Sequence, residues 1–333
     1  MRFLSPARLA AAGFVLIAIA VFVLWLTPAD GYDIQLVDPA HPVAPLVQLP
    51  EEKPPRGGGA IYFVDVRERP ARLIERILPW TRADGSSLVR SPPISTTLER
   101  NLGRQDMSDS QKIAAVVALR QLGYKVRAHG GGVSVLLVQK GAPSAKVLQP
   151  GDVIVAAAGR RVPTVSALRA VLARRRPGAP VEIRFRRGGE VREATVRTIR
   201  DPANPKRTII GVSAEDELQV KLPFPVKIEI PGVGGPSAGL AFALDILQEL
   251  GRNVAHGRKI AATGALALDG SVEAIGGIKQ KTIGARRAGV DVFLVPAGEN
   301  FREARRYADG LRIIPVNNFP QALRELATIG AKA

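Results

Sequence analysis

The sequence predicts a mixed α+β and α/β chain: an N-terminal transmembrane helix, a β-rich block in the middle and a final domain of alternating helices and strands. Three observations carry this. Residues 9–26, LAAAGFVLIAIAVFVLWL, hold no charge over 18 positions, about the length at which a helix crosses the hydrocarbon of a bilayer. Residues 125–199 concentrate short β-branched runs between glycines and prolines. Residues 226–328 alternate period-two and helical patterns, the order expected of an α/β domain.

The elements follow in order. Arg2 and Arg8 precede the apolar run, and Asp30 and Asp33 follow it. By the positive-inside rule the short N-terminus stays in the cytoplasm and everything after Trp25 lies outside. A cleaved signal peptide is the rival reading, but the run exceeds a usual h-region and no A-x-A site follows in WLTPADGYD. Residues 38–59 carry proline and then glycine at a density that neither helix nor strand tolerates, which reads as a stalk. A strand is expected at 60–68, a helix at 71–80, and a second helix at 109–122, capped by Ser108 or Asp109 and stopped by Gly123. Strands follow at 133–138, 152–159, 181–187 and 190–199, with one helix at 165–175. The last part reads as strands at 226–230, 259–266, 272–276, 291–296 and 311–316, interleaved with helices at 237–250, 279–288, 300–308 and 319–328. The expected divisions are 1–30 for the N-terminus and anchor, 31–59 for the stalk, then 60–124, 125–200 and 208–330.

Composition narrows the function. Lys and Arg exceed Asp and Glu by 47 to 30, a net charge of +17, yet the arginines are scattered and aromatics make up only 5%. Solvated faces explain this better than nucleic-acid binding, which needs a concentrated patch or stacking platforms. The absence of cysteine excludes disulfides, thiol nucleophiles and thiolate-held metal. No Walker A pattern occurs, so ATP-driven action is not encoded. No metal and no cofactor are expected.

The chemistry gathers at PGVGGPSAGLAFALDILQEL, residues 231–250, where Ser237 sits between glycines at the mouth of an apolar helix. The literal G-x-S-x-G pattern raises a Ser-His-Asp triad. The only histidine after the serine is His256, and the only aspartate between them, Asp245, lies eight residues along the same predicted helix. A helix N-cap is the structural alternative for Ser237. A catalytic alternative comes from AIGGIKQKTIGARRAGV, residues 274–290, which brings Lys279 and Lys281 to the start of another helix. A lysine buried in apolar surroundings loses its proton more readily and then activates a hydroxyl without imidazole. Thr263 is placed to orient the amine, and backbone at Gly235, Pro236 and Ala238 to stabilise an oxyanion.

These residues carry a resemblance to the proteolytic domain of Lon proteases. Its GPSAG corresponds to Gly235 to Gly239, its TG to Thr263 and Gly264, and its GG-x-K-x-K to Gly276 to Lys281, with spacings of 26 and 18 residues between Ser237, Thr263 and Lys281. By position the dyad lysine is Lys281, and Lys279 is expected to face solvent. Gly234 stands where Lon is often acidic, and Ala265 replaces a glutamate after TG. Residues 130–173, GGGVSVLLVQKGAPSAKVLQPGDVIVAAAGRRVPTVSALRAVLA, resemble a PDZ domain of the bacterial protease-associated type. That likeness implies that Gly131, Gly132 and Val133 hold a peptide carboxylate while Val135, Leu168 and Leu172 line a side-chain pocket; the core is the alternative for these apolar residues. Ala158 departs from the usual Asp or Asn. The combination resembles bacterial membrane-anchored Lon-like proteases with a PDZ domain, inserted in or preceding the proteolytic domain. It implies a Ser-Lys endopeptidase outside the cytoplasmic membrane, acting on unfolded or membrane-associated proteins as a homo-oligomer. A catalytically silent Lon-like fold serving as a tethered PDZ module is the alternative.

Overall fold

The computed structural model describes residues 6–92, 96–202, 204, 205 and 207–330, with side chains for all of these except 6–9, 96–98 and 330. The chain divides into two compact units, one built from 1–94 with 237–333 and the other from 95–236.

The first unit begins with the helix Pro6–Leu26. Its large side chains stand exposed, Phe14 at 74% and Leu16 at 67%. Among the described residues no helix is long and apolar enough to cross a membrane. Arg2 and the side chain of Arg8 lie outside those residues. Next comes a three-stranded antiparallel sheet with Pro28–Val37 between Val66–Arg72 and Ser87–Arg90, closed over Ala29, Ile34 and Ala71.

The main sheet has five strands in the order His41–Pro42, Ala60–Phe63, Lys259–Ala262, Val292–Pro296, Arg312–Val316. All its pairs are parallel except the first. Every residue of Val292–Pro296 is buried, as expected of a parallel strand covered on both faces. Every residue of the helix Gly239–Glu249 is buried too. Phe242 on that helix stacks at 6.4 Å on Phe63 of the sheet.

One expectation fails in this unit and another holds only in part. The Pro- and Gly-rich stretch at 38–59 is no stalk. Val43 is 0% and Val47 4% exposed, His41–Pro42 joins the main sheet, and the Gly58 carbonyl accepts from Gln248 at 3.1 Å. Proline density excluded long elements but not a fixed path over a sheet edge. The helix expected at 71–80 forms only in its middle: Ala71 and Arg72 end the strand Val66–Arg72, which pairs with Pro28–Val37, Leu73–Ile77 is α-helical, and Pro79–Thr81 is a 3-10 turn. Strand pairing holds the first two residues in the sheet and delays the helix to Leu73.

The second unit packs the long helix Thr96–Gln121 and the helix Val165–Leu172 with a sheet ordered Glu190–Arg197, Pro180–Arg187, Val153–Ala157, Arg127–Val138, Val212–Lys221. The long helix starts well before the expected 109. Ser108 and Asp109 lie inside it, and Ser110 spends its hydroxyl on the Pro236 carbonyl at 3.0 Å. The strand Val212–Lys221 was not foreseen, because its sequence, VSAEDELQVK, shows no clean alternation.

Candidate active site

The site in the first unit is built at the carboxyl ends of parallel strands, where the chain leaves a sheet and its loops converge. Ser237 lies just ahead of the helix Gly239–Glu249, whose N-cap is Ala238 and which takes no side-chain cap. Its hydroxyl therefore has another task. Thr263 and Gly264 leave the end of Lys259–Ala262 and fasten the serine backbone. Gly264 N–H donates to the Ser237 carbonyl at 2.8 Å, the Thr263 hydroxyl donates to the same oxygen at 3.1 Å, and Leu240 N–H returns a bond to the Gly264 carbonyl at 3.2 Å. Gly264 has φ +155°, and a Cβ there would come within 2.5 Å of Val272 Cγ1, so the approach needs glycine.

Lys281 sits in the first turns of the helix Ile278–Arg287. Gly277, at φ +68°, turns the chain into that helix, and a Cβ on it would meet Val66 Cγ2 at 2.7 Å. Gly277 thus lets the lysine helix close onto the strand Val66–Arg72. A Cβ on Gly284 would collide with the Asp38 carbonyl, so this face of the helix lies flat on the chain entering the sheet. Lys281 is 4% exposed and its Nζ lies 2.7 Å from Ser237 Oγ. Burial lowers its pKa from 10.5 to about 8, against the opposing pull of the Asp65 and Glu68 carboxylates. A neutral amine in hydrogen-bond reach of a serine is the arrangement a general base needs.

The other expected residues divide. Thr263 is fully buried, but its hydroxyl holds the Ser237 carbonyl rather than the amine. Gly235 and Pro236 offer no free N–H: Gly235 donates to the Gly103 carbonyl at 2.8 Å, and proline has none. Of the three backbone positions named, Ala238 is the one at the start of the helix, where backbone N–H groups favour an anion. Lys279 does not face solvent. It is half-buried, donates to the Ser86 carbonyl at 3.0 Å and lies 5.6 Å from the Tyr307 ring. Asp245, 1% exposed, carries a buried Oδ2 with no hydrogen-bond partner. Burial first, then Glu249 and Glu52, raise its pKa to about 8, so it is no triad acid.

The peptide-binding residues of the second unit are corrected. Gly131, Gly132 and Val133 form no carboxylate loop; they lie inside the strand Arg127–Val138, antiparallel to Val212–Lys221 on one side and to Val153–Ala157 on the other. Gly131 is the extra residue of a bulge, since Glu217 pairs with Gly132 and Leu218 with Gly130. Val133, Val135, Leu168 and Leu172, at 0%, 1%, 4% and 3% exposure, are one core. Val212–Lys221 already runs along the whole of Arg127–Val138, on the side where a peptide strand would add. The open edge of this sheet on that side is Val212–Lys221, next to the start of the helix Val165–Leu172, whose first N–H donates to Asp216 at 2.5 Å. Ala158 adopts φ +49°, the conformation that Asn and Asp tolerate better.

Sequence reasoning missed Asp65. It lies two residues past the end of Ala60–Phe63, a strand read as continuing to 68. Its position after a strand that pairs parallel to the one leading into Thr263 was the available signal. Asp38, His41 and Asp65 bring one ligand atom each within 4.8 Å of one another, the only such group among the described residues. His41 already bonds Asp38 at 3.3 Å and Arg67 bonds Asp38 at 2.8 Å, which competes with a metal.

Two stretches of the chain match known protein families. Residues 196–328 match the Lon protease (S16) C-terminal proteolytic domain, and residues 121–198 match the PDZ domain. The chain carries a PDZ domain followed by a Lon-type proteolytic domain, the make-up of a Lon-like, PDZ-containing protease. It is similar to Lon protease of Buchnera aphidicola, 39% identical over 27% of this chain and 12% of that protein, and to Lon protease 2 of Bacillus subtilis, 32% identical over 31% and 19%. The chain thus spans under a fifth of the length of these relatives. Among solved structures, the PDZ domain of an SdrC-like protein from Listeria monocytogenes aligns at 24% identity over 25% of this chain and 87% of its own, with a TM-score of 0.24.

Proposed function

We propose that the chain is a membrane-anchored, ATP-independent serine endopeptidase using a Ser237–Lys281 dyad. The observation that carries this is the 2.7 Å contact between a buried amine and the serine hydroxyl. Neutral Lys281 takes the hydroxyl proton as Ser237 Oγ attacks the scissile carbonyl, forming a C–O bond. The ammonium then returns the proton to the leaving amine as the C–N bond breaks. Water, deprotonated by the same amine, releases the acyl group and restores the serine. With a pKa of about 8 the amine is neutral in about one molecule in ten at pH 7, so activity rises as pH climbs through that value.

The anchor rests on the uncharged run at 9–26, placing the protein in a bacterial cytoplasmic membrane with both domains outside. Unfolded or membrane-associated proteins are its substrates, and a homo-oligomer its working form. Peptide C-termini add as a strand to the free edge of Val212–Lys221, recruiting substrate or gating the site. The rival is a silent tethered module. Full-length protein in detergent, incubated with an unfolded labelled protein, decides: cleavage by wild type and none by Ser237→Ala or Lys281→Ala supports the protease, while three equally inert or equally active proteins refute it.

A further inference from the structure

Asp65 is not part of any motif, yet it lies on a loop packed against the elements that carry the dyad, with a buried carboxylate oxygen. It leaves the end of Ala60–Phe63, whose last residue pairs with Ala262, one position before Thr263. Its neighbours Val64 and Val66 pack on the lysine helix, Val64 in one core with Ile278 and Val66 against Gly277. Its Oδ1 is buried without a hydrogen-bond partner. Position 234, ahead of the serine, holds glycine and supplies no carboxylate.

We infer that Asp65, with His41 beside it, is a positioning residue that supplies the dyad's anion, stabilising the Lys281 ammonium after it has taken the serine proton and setting the pH at which it releases it. This rests on the dyad reading above. The charged groups around the pair are few: Asp65 and Glu68 act on Lys281, while Asp38, His41 and Lys281 act on Asp65. Burial, and then Asp38, raise the Asp65 pKa, and His41 and Lys281 oppose them. An anion near the amine favours its charged form, so removing that anion makes Lys281 a base at lower pH.

Two measurements on the full chain test this. In the pH profile of kcat/KM, Asp65→Asn moves the acidic limb down by at least about half a pH unit, and Glu68→Gln moves it the same way by less. Asp65→Glu returns the limb toward the wild-type position. An unmoved limb in Asp65→Asn, with any loss of rate, overturns the inference, since a purely structural residue changes rate without changing titration. The second measurement needs no activity: the 13Cε resonance of Lys281, assigned by Lys281→Met, is titrated in wild type and Asp65→Asn. A lower midpoint in the variant supports Asp65 and an unchanged one refutes it, even if wild type cleaves nothing and the protease reading falls. Should Asp65→Asn fail to fold, Asp65→Ser and Asp65→Ala remove the same carboxylate and give the same two readouts.

Discussion

The Ser237 site and the PDZ-like strand Arg127–Val138 both centre on glycines that announce a function in the sequence, and only one delivers the expected atoms. At the first, Gly264 and Gly277 permit close approaches that bring two reactive side chains to 2.7 Å. At the second, Gly131 accommodates a bulge, and Gly132, at φ +151°, lets the strand lie against Val153. Those glycines serve packing. A side-chain site is written in residue types that carry the chemistry wherever the fold is right. A main-chain site depends on which strand pairs with which, and the partner here, Val212–Lys221, arrives about 80 residues later in the chain.

Substitutions sharpen this contrast, the largest first. Lys281→Arg keeps a long cation but never releases a proton in this pH range, so kcat/KM falls by about a thousandfold or more with folding intact, measured by proteolysis alongside circular dichroism. Leu168→Ala costs about 2–5 kcal/mol in stability, the penalty of a core cavity, followed by denaturant unfolding. A groove residue would cost far less. In the intact protein a peptide with a free C-terminus should perturb the amides of 212–221 and leave 131–133 less affected; the reverse would restore the original assignment. Thr263→Val removes one hydrogen bond to the Ser237 carbonyl while Gly264 N–H keeps the other. The expected loss is about 1 kcal/mol, roughly fivefold in kcat/KM.

The smallest effect concerns Asp245. Its carboxyl is raised to about 8 in the folded chain, well above its unfolded value. Stability from the neutral form is complete below the unfolded pKa and is lost as pH rises through about 8. Asp245→Asn therefore gains a few degrees in melting temperature over wild type at pH 8 and little at pH 4, measured by scanning calorimetry.

Much of the α/β part was legible: the buried runs KIAA and VFLVP and the helices after the serine and lysine lie within a few residues of their expected bounds. Local pattern sufficed there because parallel strands buried on both faces are continuously apolar. It failed where long-range pairing decides, at Val212–Lys221, and where proline suggested a stalk at 38–59. The residues alone offered Lys279 and Lys281, and the resemblance to the Lon domain pointed to Lys281; nothing pointed to Asp65, since a single carboxylate past a strand end has no local signature.

The central claim is that Lys281 is a buried neutral base for Ser237, and the labelling of Ser237 by a fluorophosphonate tests it without any choice of substrate. The labelling rate should rise with pH along one ionisation centred near 8 and vanish in Lys281→Ala. A rate that ignores pH between 6 and 10, or that survives loss of the lysine, would contradict it.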